Sequence, residues 1–243
     1  MRAPMSYATI VDQRNQQIKM LAEAGHSLFG YIYPHAPLEI ILAHKLTPVL
    51  LWADPQVSGA YEASLQTFCC AYCRNLFSQR MNWRIPPLKG IIFPSGTCDS
   101  LQNMGDVWRA RFSEDNIFRL TYPVATNKEA SVQYLAKELH ILSNALESTY
   151  GQSFSQEEFH KAVTLTTQFR DAAQFITTAR LLQPDVITYT DFSTIVRNFL
   201  TGPTSETLKQ VEHAASMVRK KQHKKYRGST TEELHPALIK GQI

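Results

Sequence analysis

A chain of 243 residues, 44% of them apolar, can bury a real core, which excludes a disordered or fibrous protein. Its formal charge of +4 is local: Arg219 to Arg227, RKKQHKKYR, holds six of the 25 Lys and Arg and no acid, leaving 19 against 21 Asp and Glu elsewhere. That balance argues against a basic nucleic-acid groove, and the block itself reads as a solvated helix end and tail. No apolar run is long enough for a membrane span. The N-terminus, MRAPMSYATIVDQRNQQIKM, lacks an apolar signal core, so the expected location is the cytoplasm.

In chain order, LFGYIY (28–33) reads as a short buried strand followed by the helical PLEIILAHK. TPVLLW (47–52) is a second strand, leading into a helical segment expected from about Ala60 to Phe77. LKGIIFP (88–94) and the helical CDSLQNMGDVWRARF repeat the pattern, and IFRLTYP (117–123) supplies a fourth strand. Strands alternating with helices predict βαβ units and a parallel sheet. Lys128 to Tyr150 then carries Val132, Leu135, Leu139, Leu142 and Leu146 at helical spacing and ends at Gly151, a C′ residue. Ser155 and Glu158 form a capping box opening a helix to Leu182, where QPD breaks it. DFSTIVRNFL and residues 206–221 read as the last helices, with TGPTSE between them. The expectation is an α/β, Rossmann-like parallel sheet domain followed by a helical region. Its parts are an N-terminal helix (1–24), the α/β domain (25–125), helices (126–218) and a basic tail (219–243).

The four cysteines pose the functional question. Three fall within TFCCAYC, as Cys69, Cys70 and Cys73, and the fourth is Cys98 in IIFPSGTCDS. Thiolates suit zinc and iron–sulfur centres, but neither a second C-x-x-C nor a His pair at ligand spacing completes a zinc site. A thioredoxin-like pair belongs at the start of a helix, whereas TFCCAYC is expected inside one. Cys98 follows a strand and an SGT turn, just ahead of a helix, where open α/β sheets bind ligands. Free cysteine is also among the most buried residue types, so metal, redox and packing roles all stay open at this point. His26, His35 and His44 surround the first βα unit and read as structural, with His35 near a possible pocket. P-loop and G-x-S-x-G signatures are absent from the sequence.

GYIYPHAPLEIILAHKLTPVLLW, then CCAYCRNLF, then IIFPSGTCDSLQNMGDVW, resemble in order the motifs of the 2-hydroxyacyl-CoA dehydratase and benzoyl-CoA reductase D-component family. YLAKELHILSNALESTYGQSFSQEEFHKAV is similar to that family's long helical pair. The resemblance runs from about Gly25 to Leu200, and TCDS with the CxxxR of Cys70 to Arg74 are its most specific pieces. It implies a cytoplasmic, oxygen-sensitive subunit holding a [4Fe–4S] cluster through three cysteines, with one iron open. It further implies a second D-component subunit, an ATP-dependent iron–sulfur activator that delivers one electron, and an acyl-CoA substrate. That substrate would lose its 2-hydroxyl, or be reduced, by way of a ketyl radical anion.

By position, Cys70 resembles the first cluster ligand and Cys98 the second. Cys73, like Cys69, matches no ligand of the family and is a core residue or an auxiliary donor. Arg74 could orient a ligand or substrate, and Glu39 matches an acidic position in the family's first helix; no catalytic residue is assigned. Tyr33 stands where many members carry a cysteine. The family continues into a second α/β domain that supplies the third ligand, whereas no cysteine follows Cys98 here. The expectation is therefore a fragment or a shortened paralogue whose cluster lacks a ligand. A partner that keeps the fold without the cluster, and a small zinc or thiol redox module, are the alternatives.

Overall fold

The structure, a computed structural model, describes residues 7–226 apart from Pro34, Pro55, Ser58, Ala60, Thr67 and Thr126. The part of the expected basic tail beyond Tyr226 lies outside the described residues. The first half runs α1 (Tyr7–Glu23), β1 (Leu28–Tyr31), α2 (Leu38–Ala43), β2 (Thr47–Leu50), α3 (Ala71–Met81), β3 (Gly90–Ser95), α4 (Asp99–Arg111) and β4 (Asn116–Thr121). The second half is helical: α5 (Lys128–Tyr150), α6 (Gln156–Leu182), α7 (Tyr189–Leu200) and α8 (Ser205–Tyr226). The expected parallel sheet is present, with strand order β2-β1-β3-β4 and every pair parallel.

Burial explains the strand sequences. The inner strands are apolar throughout, as LFGY in β1 and GIIFP in β3, because helices cover both faces of a parallel sheet. β4 lies at an edge and alternates, burying Phe118 and Leu120. The prolines sit where a missing N–H matters least. Pro48 is in the other edge strand, and Pro94 lies beyond the stretch of β3 that pairs with β1. A core cluster packs Trp108 of α4 among Phe77, Phe93 and Phe112, with centroids 5.1 to 6.1 Å apart.

The chain divides into two compact units, with the boundary inside α6. Within the described residues, the sheet unit takes residues 7–163 and Leu200–Gly202, and the buried Tyr31 hydroxyl donates to Leu200 O at 2.6 Å. The helical unit takes residues 164–199 and 203–226. Its core follows helical periodicity, with Ala172, Ile176 and Ala179 on α6 and Leu208, Val211, Ala215 and Val218 on α8. Phe169 stacks on Phe199 at 4.0 Å. Thr188 caps α7, accepting from Asp191 N at 3.0 Å while its hydroxyl donates to the Asp191 carboxylate at 2.7 Å.

Three local expectations need correction. The helix expected from Ala60 begins only at Ala71. Side chains of α3 satisfy the loop before it: Asn75 Nδ2 donates to Asp54 O at 2.7 Å and Val57 O at 2.9 Å, and Ser78 Oγ donates to Gly59 O. Those bonds tie residues 54–59 to α3, and the described backbone bonds between 61 and 69 are isolated turns, Leu65 N to Tyr61 O at 2.8 Å and Cys69 N to Gln66 O at 3.0 Å, rather than a continuous helical ladder. On α5, Leu142 and Leu146 are buried as expected but Val132 is 61% exposed, since only the C-terminal half lies against the core. The capping box is half made. Ser155 Oγ accepts from Glu158 N at 3.2 Å, but Ser155 N donates to Ala43 O at 3.1 Å and the Glu158 carboxylate accepts from Lys161.

Candidate functional site

In this strand order the chain steps from β1 to β2 on one side, then crosses back to β3 on the other. Ligands collect at such a reversal, beyond the carboxyl ends of the strands. β1 leads there into Tyr33 and His35, and β3 into Gly96, Thr97 and Cys98. Gly96, at φ +77°, makes the turn, and Gln102 folds back to accept from Ser95 Oγ at 3.0 Å and Gly96 N at 3.4 Å. The start of α3 is drawn to the same edge, because Tyr72 OH donates to Leu51 O at 2.9 Å and reaches Ile32 O at 3.4 Å. Those carbonyls follow β2 and β1 directly.

Cys70 is thus not inside a helix. It is the N-cap of α3, and Cys98 is the N-cap of α4. N-caps are ordinarily Ser, Thr, Asp or Asn, whose side chains accept from the first free N–H groups. Neither cysteine makes a side-chain capping bond. Two helices therefore open at the ligand edge with thiols that do no capping. Cys70 is exposed and Cys98 half-buried, while Cys69 and Cys73 are in the core. The Cys70 and Cys73 sulfurs are 3.5 Å apart. Burial drives the Cys73 thiol well above the usual thiol range, and the neighbouring thiols of Cys70, Cys98 and Cys69 add to it. Cys69 and Cys73 belong to one core cluster, and Cys98 packs against it.

The other candidates are placed as follows. His35 is exposed, its ring edge-on between Tyr33 at 4.8 Å and Tyr122 at 4.7 Å, and Tyr122 OH donates to His35 O at 3.1 Å. Partial burial raises the Tyr122 phenol to about 12. The loops after β1 and β4 are thereby clasped across the end of β3. Sequence reasoning missed Tyr122 and Tyr72; the position of Tyr122 at the carboxyl end of IFRLTYP was the available signal. Beside this clasp is an apolar cavity of about 430 Å³, lined by Gly96, Tyr122, Pro123, Val124, Ala130 and Tyr134 among others. Glu39 is half-buried in the first turn of α2. Arg74 donates to Tyr61 OH at 3.2 Å and lies over its ring, with its Nε buried and unbonded among the described residues. His44 is structural as expected, bonded to Ser143 Oγ at 2.8 Å and Gln152 O at 2.9 Å.

The donor set fits a metal centre only in part. Cys70 and Cys98 are soft donors at the right edge. A third thiolate from this chain would have to come from Cys69, which is buried, or Cys73, which is fully buried and in contact with Cys70. Among the described residues no group of three or more His, Cys, Asp or Glu is arranged to hold a metal ion. This chain alone does not fit a three-cysteine cluster. No described helix is long and apolar enough to cross a membrane.

Sheet order, turn and thiols define a doubly wound α/β protein with a cysteine-bearing ligand edge. Residues 34–236 match the family described as 2-hydroxyglutaryl-CoA dehydratase, D-component, and the chain belongs to that family. It is 21% identical over 193 residues to the (R)-phenyllactyl-CoA dehydratase beta subunit of Clostridium sporogenes, a match covering 79% of this chain and 51% of that protein. Lactoyl-CoA dehydratase subunit beta of Anaerotignum propionicum is 23% identical over 150 residues, covering 61% of this chain and 39% of that protein. The chain thus spans about half or less of the length of these relatives.

Proposed function

We propose that this chain serves as a D-component subunit, whole or truncated, in a 2-hydroxyacyl-CoA dehydratase. Its carboxyl edge faces an iron–sulfur centre and an acyl-CoA thioester. The observation that carries this reading is the pair of N-cap thiols, Cys70 and Cys98, presented at the strand reversal without any capping role. Thiolate ligation is the usual way to hold iron–sulfur clusters. When bound, such a centre supplies electron transfer and, through an open iron, Lewis acidity. In this reading Cys70 and Cys98 supply two thiolates, and a donor from outside this chain completes the set. A second D-component subunit and an ATP-dependent activator are the proposed partners, and dehydration of a 2-hydroxyacyl thioester is preferred to benzoyl-CoA-type reduction because both named relatives are dehydratase subunits. Glu39 and Arg74 are proposed to border the substrate.

Anaerobic reconstitution with iron and sulfide tests the ligand assignment. The isolated chain should take up substoichiometric, labile iron, and Cys70→Ala or Cys98→Ala should lower it at least several-fold more than Cys69→Ala. Equal behaviour of all these variants, or stoichiometric zinc in place of iron, would overturn the assignment. Failure to retain iron under any condition, with or without a partner subunit, would favour a scaffold subunit that keeps the fold without the cluster.

A further inference from the structure

We propose that Cys70 and Cys73 form a thiol–disulfide exchange site that reacts with low-molecular-weight disulfides. The two residues are the N-cap and the third residue of α3, one helical turn apart. Their sulfurs are already 3.5 Å from each other. A side-chain rotation closes the remaining gap to the bond length of ~2.05 Å, and a one-turn spacing is within the Cα separation that disulfides span. Cys70 has no side-chain capping bond to lose, so its rotation leaves the helix start intact.

The two thiols differ in access, and that difference orders the chemistry. Cys70 is exposed, so an external disulfide R–S–S–R meets it first. The Cys70 thiolate attacks one sulfur, forming the mixed disulfide Cys70–S–S–R and expelling RS⁻, which takes up the proton Cys70 released. Cys73 is fully buried behind Cys70 and out of reach of R–S–S–R. Burial holds the Cys73 proton, so it passes to the departing second RS⁻ as the Cys73 sulfur attacks the Cys70 sulfur. Two electrons pass from the cysteine pair to the small disulfide, which leaves as two thiols. Cys69, although adjacent in sequence, is itself buried and makes no sulfur contact of this kind among the described residues.

The bond has a consequence that rests on the proposed ligand role of Cys70: closing it withdraws one of the two edge thiolates from iron. Oxidation and metal binding are then mutually exclusive, and a thiol reductant restores the ligand.

The metal-free chain, treated with glutathione disulfide, alkylated with iodoacetamide and weighed intact, tests the exchange. Wild type, Cys69→Ser and Cys98→Ser should each lose two alkylatable thiols without retaining glutathione. Cys73→Ser should stop at one glutathione adduct, and Cys70→Ser should take none at this segment. Digestion after Phe68, Tyr72 and Arg74 shows in wild type whether Cys73 is bonded to residue 69 or 70, and the same digest of Cys69→Ser fixes the partner as Cys70. The peptides CCAY and CR should be joined, and should separate on reduction. Retention of all four free thiols, a disulfide confined within CCAY, or a closed disulfide in Cys73→Ser would each overturn the proposal. A separate arm measures iron uptake after oxidation. Unchanged uptake with the disulfide in place would reject the ligand role of Cys70 and leave the exchange chemistry standing.

Discussion

Asp115 shows how one residue can hold several elements. Its carboxylate accepts from Arg80 Nε, Trp108 Nε1 and Leu88 N, each at 2.9 Å, and Arg80 and Asp115 are almost wholly buried. A buried pair of this kind is costly to break, because removing one partner strands the other charge. Asp115→Ala leaves the indole N–H and a backbone N–H unpaired, and leaves the buried guanidinium with only the half-exposed Glu114. The expected loss is about 3–5 kcal/mol in urea unfolding. Glu114→Ala, at the exposed end of the same guanidinium, should cost distinctly less. A close approach makes a second residue-scale prediction. A Cβ at Gly90 would lie 2.5 Å from Tyr150 Oη and 2.8 Å from both Phe29 and Phe118. Gly90→Ala forces those rings apart and should destabilise by about 1–3 kcal/mol, read as a lower unfolding midpoint.

At the scale of elements, the ends of helices decide the outcome. α5 stops at Gly151, φ +66°, whose N–H donates to Glu147 O at 2.8 Å. This left-handed position costs an L-residue roughly 1–2 kcal/mol. Gly151→Ala should lower stability by about 1 kcal/mol, whereas Gly151→Asn should recover part of that loss, measured by the same unfolding experiment. This helix end was legible in sequence, because a glycine after a periodic run has a local cause. The start of α3 was not legible. Apolar and small residues from Ala60 to Phe77 suit a helix, but Asn75 and Ser78 bond the loop carbonyls, partners 18 or more residues away in sequence. That single displacement moves Cys70 from a helix interior to an N-cap, and it changes what the C-x-x-C can do.

For the molecule as a whole, tyrosine burial predicts the alkaline limit of stability. Burial raises Tyr122 and Tyr150 to about 12, and lifts fully buried Tyr31 well above the ordinary phenol value. These acids have folded values above their unfolded value of 10.0. Their contribution is therefore complete below pH 10 and is lost as pH rises towards about 12, where the unfolded chain ionises first. Stability should fall over that window, and Tyr122→Phe with Tyr150→Phe should flatten the fall in unfolding measured against pH. At acid pH the opposite sign holds for Glu114. A backbone hydrogen bond and Arg80 lower its value, so its contribution is present above the ordinary carboxylate range and disappears as pH drops through the lowered value.

The sequence by itself determined the parallel α/β layer, the order of strands and helices, and the ends of helices such as α5. These depend on periodicity, turn residues and caps within a few positions along the chain. It also held the family's motifs, from GYIYPHAPLEIILAHK to TCDSLQNMGDVW. The tertiary structure alone decided which residues share the ligand edge. Tyr72 ties α3 to carbonyls beyond β1 and β2, Tyr122 reaches back to His35, and Asp115 joins α3 and α4 to the start of β3. Most of these contacts join residues far apart in the chain, so only the folded backbone could bring the start of α3, with Cys70 exposed, to the mouth of the sheet, whereas the 3.5 Å approach of Cys70 to Cys73 is a local one-turn spacing.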